Sequence, residues 1–242
     1  MNPHLTLATA GRVLRQLRRD RRTIALVVAL PCVILGLLAW MFDGTDVLDR
    51  FGPIAVGLFP LLVMFLVTSV AMLRERTSGT LERLMTTPIG RGDVIAGYAL
   101  AFGALATVQA AVVTGFAVLV GMDVEGPIGL VLAVAVVSAL LGSAVGLAGS
   151  AIARTEFQAV QLMPAFVFPQ LVVCGLLMPR EAMPEVLEWI SRVLPLTYAV
   201  EALGSLTRGG GWADVRGAVG VMVLWLAGAM VLGGLTLRRR TE

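Results

Sequence analysis

Residues 127–153 have the sequence PIGLVLAVAVVSALLGSAVGLAGSAIA, a run of 27 residues that contains no charged side chain. A helix of about 20 apolar residues is long enough to cross the roughly 30 Å hydrocarbon core of a bilayer. The whole chain has a similar character, since 57% of its 242 residues are hydrophobic, 14% are charged and the mean hydropathy is +0.88. The sequence therefore predicts an integral membrane protein and excludes a disordered chain or a soluble enzyme.

Five further stretches have the length and composition of a membrane span. The six predicted spans are residues 23–42, 53–73, 94–120, 127–153, 159–178 and 217–237. We therefore expect an all-α integral membrane fold, in which residues 1–22 form an N-terminal helix and residues 23–242 form a six-span domain. The connections between the spans are too short to contain a soluble catalytic domain.

The distribution of arginine predicts the orientation of the chain. All 19 basic residues are arginine, and six spans place fourteen of them on one side of the membrane and five on the other. Connections that are rich in Lys and Arg stay in the cytoplasm. The sequence thus predicts a multi-pass protein of the cytoplasmic (inner) membrane with both termini in the cytoplasm.

Residues 1–22 are predicted to form an amphipathic helix. Its apolar face repeats at helical spacing and consists of Leu7, Ala10, Leu14 and Leu17. The opposite face consists of Arg12, Arg15, Arg18, Arg19 and Arg22. Such a helix lies in the membrane interface, with its arginines on anionic lipid headgroups. Because the cluster adjoins a membrane span, we expect lipid and not nucleic acid as its partner.

The longest cytoplasmic connection, residues 74–93, has the sequence RERTSGTLERLMTTPIGRGD. Residues 80–86 are predicted to form a short amphipathic helix, whose apolar face consists of Leu81, Leu84 and Met85. Gly79 permits a sharp entry into this helix, and Asp93 is placed to cap the next span. Spacing alone leaves open whether the helix contacts a cytoplasmic partner or is part of a solvated loop.

The external stretch 179–203 is too apolar for a loop and too polar for a span. Its apolar residues keep helical spacing up to Leu194-Pro195, and a second short segment follows at residues 197–203. We expect two half-buried helices that dip into the outer leaflet, where protein shields their ends. Glu201 is then partly buried, which suits either a functional carboxylate or a capping and packing role.

These two regions resemble the ABC-2 family of ATP-binding-cassette transporter permeases, in particular its short drug-resistance subunits of the daunorubicin-resistance type. The motif Arg74-Glu75-Arg76-x-x-Gly79-Thr80-Leu81-Glu82-Arg83-Leu84-x-x-Thr87-Pro88 is similar to that family's first cytoplasmic loop. Residues 169–179, Met183-Pro184 and 195–203 resemble the end of its fifth span and its external re-entrant helices. The chain departs from the family pattern at Tyr98, Cys174 and Gly204.

The resemblance implies a transport subunit that has no enzymatic activity of its own. In the family, the segment that matches residues 80–86 is a coupling helix that fits a groove on a separate ATPase subunit. The coupling residues implied here are Glu75, Gly79, Thr80, Leu81, Glu82, Arg83 and Leu84. Since the chain has no phosphate-loop motif and no lysine, ATP and Mg are expected on the ATPase. Two permease chains, identical or different, and two ATPase chains would form the working unit.

The resemblance also implies a substrate path between the two permease chains, lined by spans two and five. The residues that would line it are Phe59, Met64, Phe65, Met163, Phe166 and Gln170. The corresponding residues of the re-entrant region are Pro195, Tyr198 and Glu201. The expected cargo is a hydrophobic drug-like molecule or a lipid, moved outward with ATP as the energy source.

The same composition is compatible with two other functional classes. A stand-alone ion-coupled carrier usually has ionisable groups in mid-span, whereas every Asp, Glu and Arg here fits a connection or a span end. A membrane-embedded lipid-modifying enzyme is disfavoured because the single histidine, His4, lies near the N-terminus and the acidic residues form no metal-like cluster.

Small residues give the fourth span a smooth face. This face consists of Gly142, Gly146, Gly149 and Ser150. Small residues let a neighbouring helix approach closely. The pattern favours packing within one subunit over a seam between two subunits.

Overall fold

The computed structural model describes residues 3–45, 47–79, 90–178 and 180–236. These residues form nine α-helices and one 3-10 turn, and they contain no β-strand. The helices are α1 Pro3–Arg19, α2 Arg21–Met41, α3 Val47–Thr77, α4 Arg91–Leu119, α5 Ile128–Gly149, α6 Glu156–Val173, α7 Glu185–Val193, α8 Pro195–Thr207 and α9 Trp212–Thr236, and the 3-10 turn is Arg180–Ala182.

Five helices are long and apolar enough to cross a membrane, which confirms a multi-pass, all-α membrane protein. They contain the stretches Thr23–Met41, Val47–Thr77, Ala96–Leu119, Ile128–Gly149 and Trp212–Leu235. The remaining predicted span, residues 159–178, corresponds to α6. This helix ends at Val173 and does not meet the same criterion, because three glutamines and two prolines lower its hydropathy.

Several helix ends differ from the predicted spans. α3 begins at Val47 and ends at Thr77, beyond both limits of residues 53–73, because a helix continues into polar sequence after the apolar core ends. α5 ends at Gly149 instead of residue 153, and the Ser150 hydroxyl donates to the Leu147 carbonyl at 2.6 Å. The hydropathy pattern thus marked the membrane core rather than the helix ends.

The centre of the fold is the contact between α3 and α5. A Cβ atom at Gly142 would overlap the carbonyl oxygen of Leu61, and one at Gly146 would overlap that of Phe65. The Ser138 hydroxyl adds a 2.6 Å hydrogen bond to the carbonyl oxygen of a glycine in α3. The smooth face therefore packs within one subunit, as the sequence predicted.

The two ends of the bundle are covered by different elements. α1 lies at the end where α3 finishes and α4 begins, and it packs mainly on α4. At the opposite end, α8 packs against α3, α5 and α9. The predicted break at Leu194-Pro195 is confirmed, because Leu194 is extended (φ −84°, ψ 132°) between α7 and α8.

α8 is longer and more deeply packed than a half-buried helix over residues 197–203. Leu196, Leu203 and Leu206 on its inner face are fully buried. Glu201 lies on another face, and its side chain is 58% exposed. The expected partial burial of Glu201 was therefore wrong, because aliphatic side chains occupy the face of α8 that meets the core.

Candidate functional site

α1 docks on α4 through a face that the sequence predicted only in part, since Ala10 is buried and Leu14 and Leu17 pack against the same core. The buried residues of α1 are Thr6, Thr9, Ala10 and Val13. Leu7, which was assigned to the apolar face, is 62% exposed. The helix approaches α4 closely at Gly97, where a Cβ atom would lie 2.6 Å from the Cβ of Thr9. Relative to the predicted apolar face, the inward face of α1 is therefore rotated toward Thr6 and Thr9.

Arg12 joins α1 to the last part of α3 and to α4. Its Nη2 donates to the hydroxyl oxygen of Tyr98 at 2.6 Å, and its Nη1 lies 3.4 Å from Oε1 of Glu75. Arg12 was predicted to lie on lipid headgroups. In the structure its guanidinium instead contacts Glu75 and Tyr98 of the same chain. The buried carboxylate of Glu75 draws the guanidinium inward, because a buried charge needs an opposite partner. A lysine at position 98 would place a second cation beside Arg12, whereas Tyr98 supplies an acceptor.

A second hydrogen bond joins α1 to the start of α4. The Thr6 hydroxyl donates to Oδ1 of Asp93 at 3.2 Å, and Asp93 is buried. Asp93 was predicted to cap the next span, but the N-cap position is Gly90 and α4 begins at Arg91. Asp93 therefore lies in the first turn, where a carboxylate still interacts favourably with the helix dipole.

Arg74 ties the end of α3 to α6. Its Nε and Nη2 donate to the two carboxylate oxygens of Glu156 at 2.7 and 3.0 Å, and its Nη1 lies 3.8 Å from Asp20. The hydrogen bonds and charge of Arg74 lower the pKa of Glu156. Neighbouring residues at the end of α3 thus hold two different helices, α6 through Arg74 and α1 through Glu75.

These contacts anchor both ends of the segment that was predicted to couple to a partner. Gly79 has φ +68°, so the chain turns sharply after α3 as the sequence predicted. The predicted residues Thr80, Leu81, Glu82, Arg83 and Leu84 lie outside the described residues. Before the segment, Glu75 contacts α1; after it, Asp93 contacts α1 again.

Comparison with known proteins assigns the chain to a family. Residues 4–206 match the family model described as ABC-2 type transporter. The chain belongs to the ABC-2 type transporter family. This finding confirms the resemblance that the loop motif and the external helices indicated.

Three relatives illustrate how this ABC-2 chain compares with named proteins. It is 29% identical, over 81% of its length, to 27% of ABC transporter G family member 20 of Dictyostelium discoideum. It is 28% identical, over 76% of its length, to 49% of the Escherichia coli K12 protein named "Probable multidrug ABC transporter permease YbhS". It is also 26% identical, over 86% of its length, to 54% of the linearmycin resistance permease protein LnrN of Bacillus subtilis 168.

The chain spans about half the length of these bacterial relatives and about a quarter of the Dictyostelium protein. Both bacterial relatives are named permeases. Their names agree with the expectation of a membrane transport subunit that is not itself an enzyme.

In the ABC-2 chain, the predicted pathway residues lie on α3 and α6, which meet at Phe65 and Phe166. The rings of Phe65 and Phe166 stack with centroids 6.1 Å apart. Met64, Phe65 and Gln170 are buried within the subunit, whereas Phe59, Met163 and Phe166 are partly buried. A role for these six residues in a substrate path stays a prediction.

Gln170 has a structural contact that the sequence did not indicate. Its Nε2 donates to the Phe166 carbonyl at 3.0 Å, and its Oε1 accepts from the backbone N–H of Leu196 at 3.1 Å. Gln170 therefore holds α6 against the first turn of α8. Pro195 begins that turn, and the Tyr198 hydroxyl donates to the Arg192 carbonyl at 2.6 Å.

The sequence pattern did not indicate that Thr6, Arg12, Asp93 and Glu156 contribute to one site. A signal was present, because Thr6, Thr9 and Val13 also follow a helical spacing and define an alternative inward face of α1. Hydrophobicity alone selected the face that contains Leu7. In the folded chain, Glu75 at the end of α3 bonds to Arg12 and Asp93 at the start of α4 bonds to Thr6, so α1 is turned toward them.

Proposed function

We propose that the chain is the membrane permease subunit of an ATP-driven exporter that moves a hydrophobic drug-like molecule or a lipid outward across the cytoplasmic membrane. A separate ATPase subunit supplies the energy, with ATP and Mg bound there. Membership of the ABC-2 family carries the proposal, and the names of the two bacterial permeases support a drug-type cargo. Two permease chains and two ATPase chains make the working unit.

The anchoring of residues 80–89 supports a mechanical role for this segment. Glu75 and Asp93 are both buried and both contact α1, so a push on the segment reaches α1 and two spans at once. Arg74 extends the connection to α6 through Glu156. We propose that the segment receives the movement of the ATPase on the cytoplasmic side, where both termini also lie, and that these contacts pass it to the spans.

The proposed coupling is tested by changing the segment in the purified complex of permease and ATPase. In Glu82→Ala combined with Leu84→Ala, substrate-stimulated ATP hydrolysis and vesicle transport should fall by about tenfold, which corresponds to about 1.4 kcal/mol. The wild type should show stimulation by substrate in the same assay. Complex assembly is measured in parallel by co-purification.

The matched control changes the same residue types at the other end of the bundle. Glu185 and Leu187 are exposed on α7, and Glu185→Ala combined with Leu187→Ala should leave hydrolysis and transport unchanged. The coupling role is wrong if the variant with changes at Glu82 and Leu84 assembles and transports like the wild type. Transport in vesicles without any ATPase would instead support a stand-alone carrier.

A further inference from the structure

A cavity of about 550 Å³ opens at the end of the bundle opposite α1. The start of α3, the turn after α6 and the outer face of α8 enclose it. Its charged lining consists of Asp49, Arg50, Arg180, Glu201 and Arg208. Its remaining lining is mostly apolar or small and includes Pro53, Ile54, Cys174, Gly175 and Val200. Three cations against two carboxylates leave the cavity positively charged.

The two carboxylates of the cavity already have partners. Oδ1 of Asp49 accepts from the backbone N–H of Asp123 at 3.0 Å, and Oε2 of Glu201 lies 3.4 Å from Nη1 of Arg180. Arg50 and Arg208 form no ion pair within residues 3–45, 47–79, 90–178 and 180–236. Two guanidinium groups therefore line the cavity without a neutralising partner from the described chain.

Two buried polar atoms at this cavity also have no hydrogen-bond partner among the described residues. One is Oγ1 of Thr197, whose residue is only 4% exposed, and the other is Nη2 of Arg180. Arg180 is already held in place, because its Nε donates to Ser191 and its guanidinium lies 5.4 Å from the ring centroid of Tyr198. A buried donor without a partner costs free energy unless a ligand or water accepts its hydrogen.

The helix geometry adds to the positive potential. Thr197 lies in the first turn of α8, a 13-residue helix whose N-terminus favours negative charge. Gly204, one turn before Arg208, leaves space for that guanidinium, since a Cβ atom there would lie 3.3 Å from Nη1 of Arg208. Arginines and a hydroxyl around one cavity match an anion with several oxygen acceptors.

We propose that this cavity binds a phosphate group, supplied by the headgroup of an anionic phospholipid or by free phosphate. The guanidinium groups of Arg50, Arg180 and Arg208 and the hydroxyl of Thr197 donate to the phosphate oxygens. The apolar lining suits the part of a lipid next to its headgroup. This inference concerns binding alone, so it holds or fails independently of ATP-driven export.

The test is lipid binding to the purified full-length chain, measured by native mass spectrometry in detergent. Phosphatidylglycerol should bind more tightly than phosphatidylcholine. The combined change Arg50→Gln and Arg208→Gln should weaken phosphatidylglycerol binding about tenfold, through loss of charge-assisted hydrogen bonds. Arg216→Gln is the control, because Arg216 is exposed on α9 and does not line the cavity.

Thr197→Val distinguishes a ligand contact from a structural one. The buried hydroxyl has no partner in the described chain, so its loss should not lower the melting temperature without lipid, while phosphatidylglycerol binding becomes several-fold weaker. A fall in the lipid-free melting temperature without a change in binding would assign Thr197 a structural role and overturn its place in the site.

Inorganic phosphate identifies the source of the ligand. Competition between phosphate and phosphatidylglycerol supports a headgroup site, and binding of phosphate without lipid preference supports a site for the free anion. Equal binding of both lipids with no response to phosphate overturns the proposal. Equal losses in the Arg50 and Arg208 double variant and in Arg216→Gln overturn it as well.

Discussion

Two groups of the same residue types lie at opposite ends of the bundle. Arg12, Tyr98 and Glu75 form one group, and Arg180, Tyr198 and Glu201 form the other. The glutamate side chain is 7% exposed in the first group and 58% exposed in the second. The first group joins three packed helices, whereas the second borders an open cavity.

The difference shows that the setting of an arginine, a tyrosine and a glutamate decides what they do. Between packed helices, the Arg12 pair replaces water around a buried carboxylate, so breaking it weakens the attachment of α1. At the cavity, solvent screens the pair between Arg180 and Glu201, so that pair adds little stability. Arg180 is instead available to bind the proposed phosphate group.

The largest expected effect is a loss of stability at the contact between α3 and α5. This contact supports both groups, because α3 extends from the cavity to Glu75. Gly142→Ala places a methyl group against the Leu61 carbonyl and should destabilise the protein by about 1–3 kcal/mol. Thermal unfolding in detergent measures the loss. Gly149→Ala is the control, because its Cβ would make an ordinary 3.5 Å contact with Phe65. Equal melting temperatures of the two variants would contradict the close packing of α3 and α5.

A smaller effect distinguishes the two groups directly, because the chain has only two tyrosines. Tyr98→Phe removes the acceptor for Arg12 and should cost about 1 kcal/mol, with faster hydrogen exchange in α1. Tyr198→Phe removes a hydroxyl bonded at the exposed end and should change stability by less than about 0.5 kcal/mol. If both variants lose the same stability and α1 exchange is unchanged, the contrast between the groups is wrong.

The smallest expected effect depends on pH and tests the exposed tie beside the first group. Arg74 lowers the pKa of Glu156, so the ion pair stabilises the fold above the ordinary carboxyl pKa of 4.5. This stability is lost as the pH falls through the lowered pKa, because protonation neutralises Glu156. At pH 7, Glu156→Gln should cost about 0.2–1 kcal/mol. The difference from wild type, measured by thermal unfolding, should vanish in strong acid, and a constant difference would exclude the ion pair as its cause.

Much of the fold was predictable because hydropathy is a local property. The run from 127 to 153 and the break at Leu194-Pro195 each follow from neighbouring residues, and the structure confirms a helix or a break at both. The end of α6 at Val173 was less predictable, because glutamines and prolines make that span only marginally apolar. Gly79 was predictable from the conformational freedom of glycine alone.

The candidate site was less predictable, since its residues are far apart in the chain. Residues 80–86 and Glu75 were singled out from the sequence, whereas the contacts of Arg12 with Glu75 and Tyr98 were not. Arg12 and Tyr98 are 86 positions apart, and helical periodicity carries no information about such a pair. Leu7 misled the prediction for α1, because hydrophobicity favours lipid and protein interiors equally.

The sequence by itself determined that this is an all-α membrane protein and where its apolar helices lie, because about 20 apolar residues in a row have few alternatives to a membrane span. It also contained the loop motif of the ABC-2 family. Only the tertiary structure decided that α1 turns Arg12 toward Glu75 and that three arginines border one cavity. These arrangements depend on which helices pack together, since a charge finds its partner or its cavity only after distant segments meet.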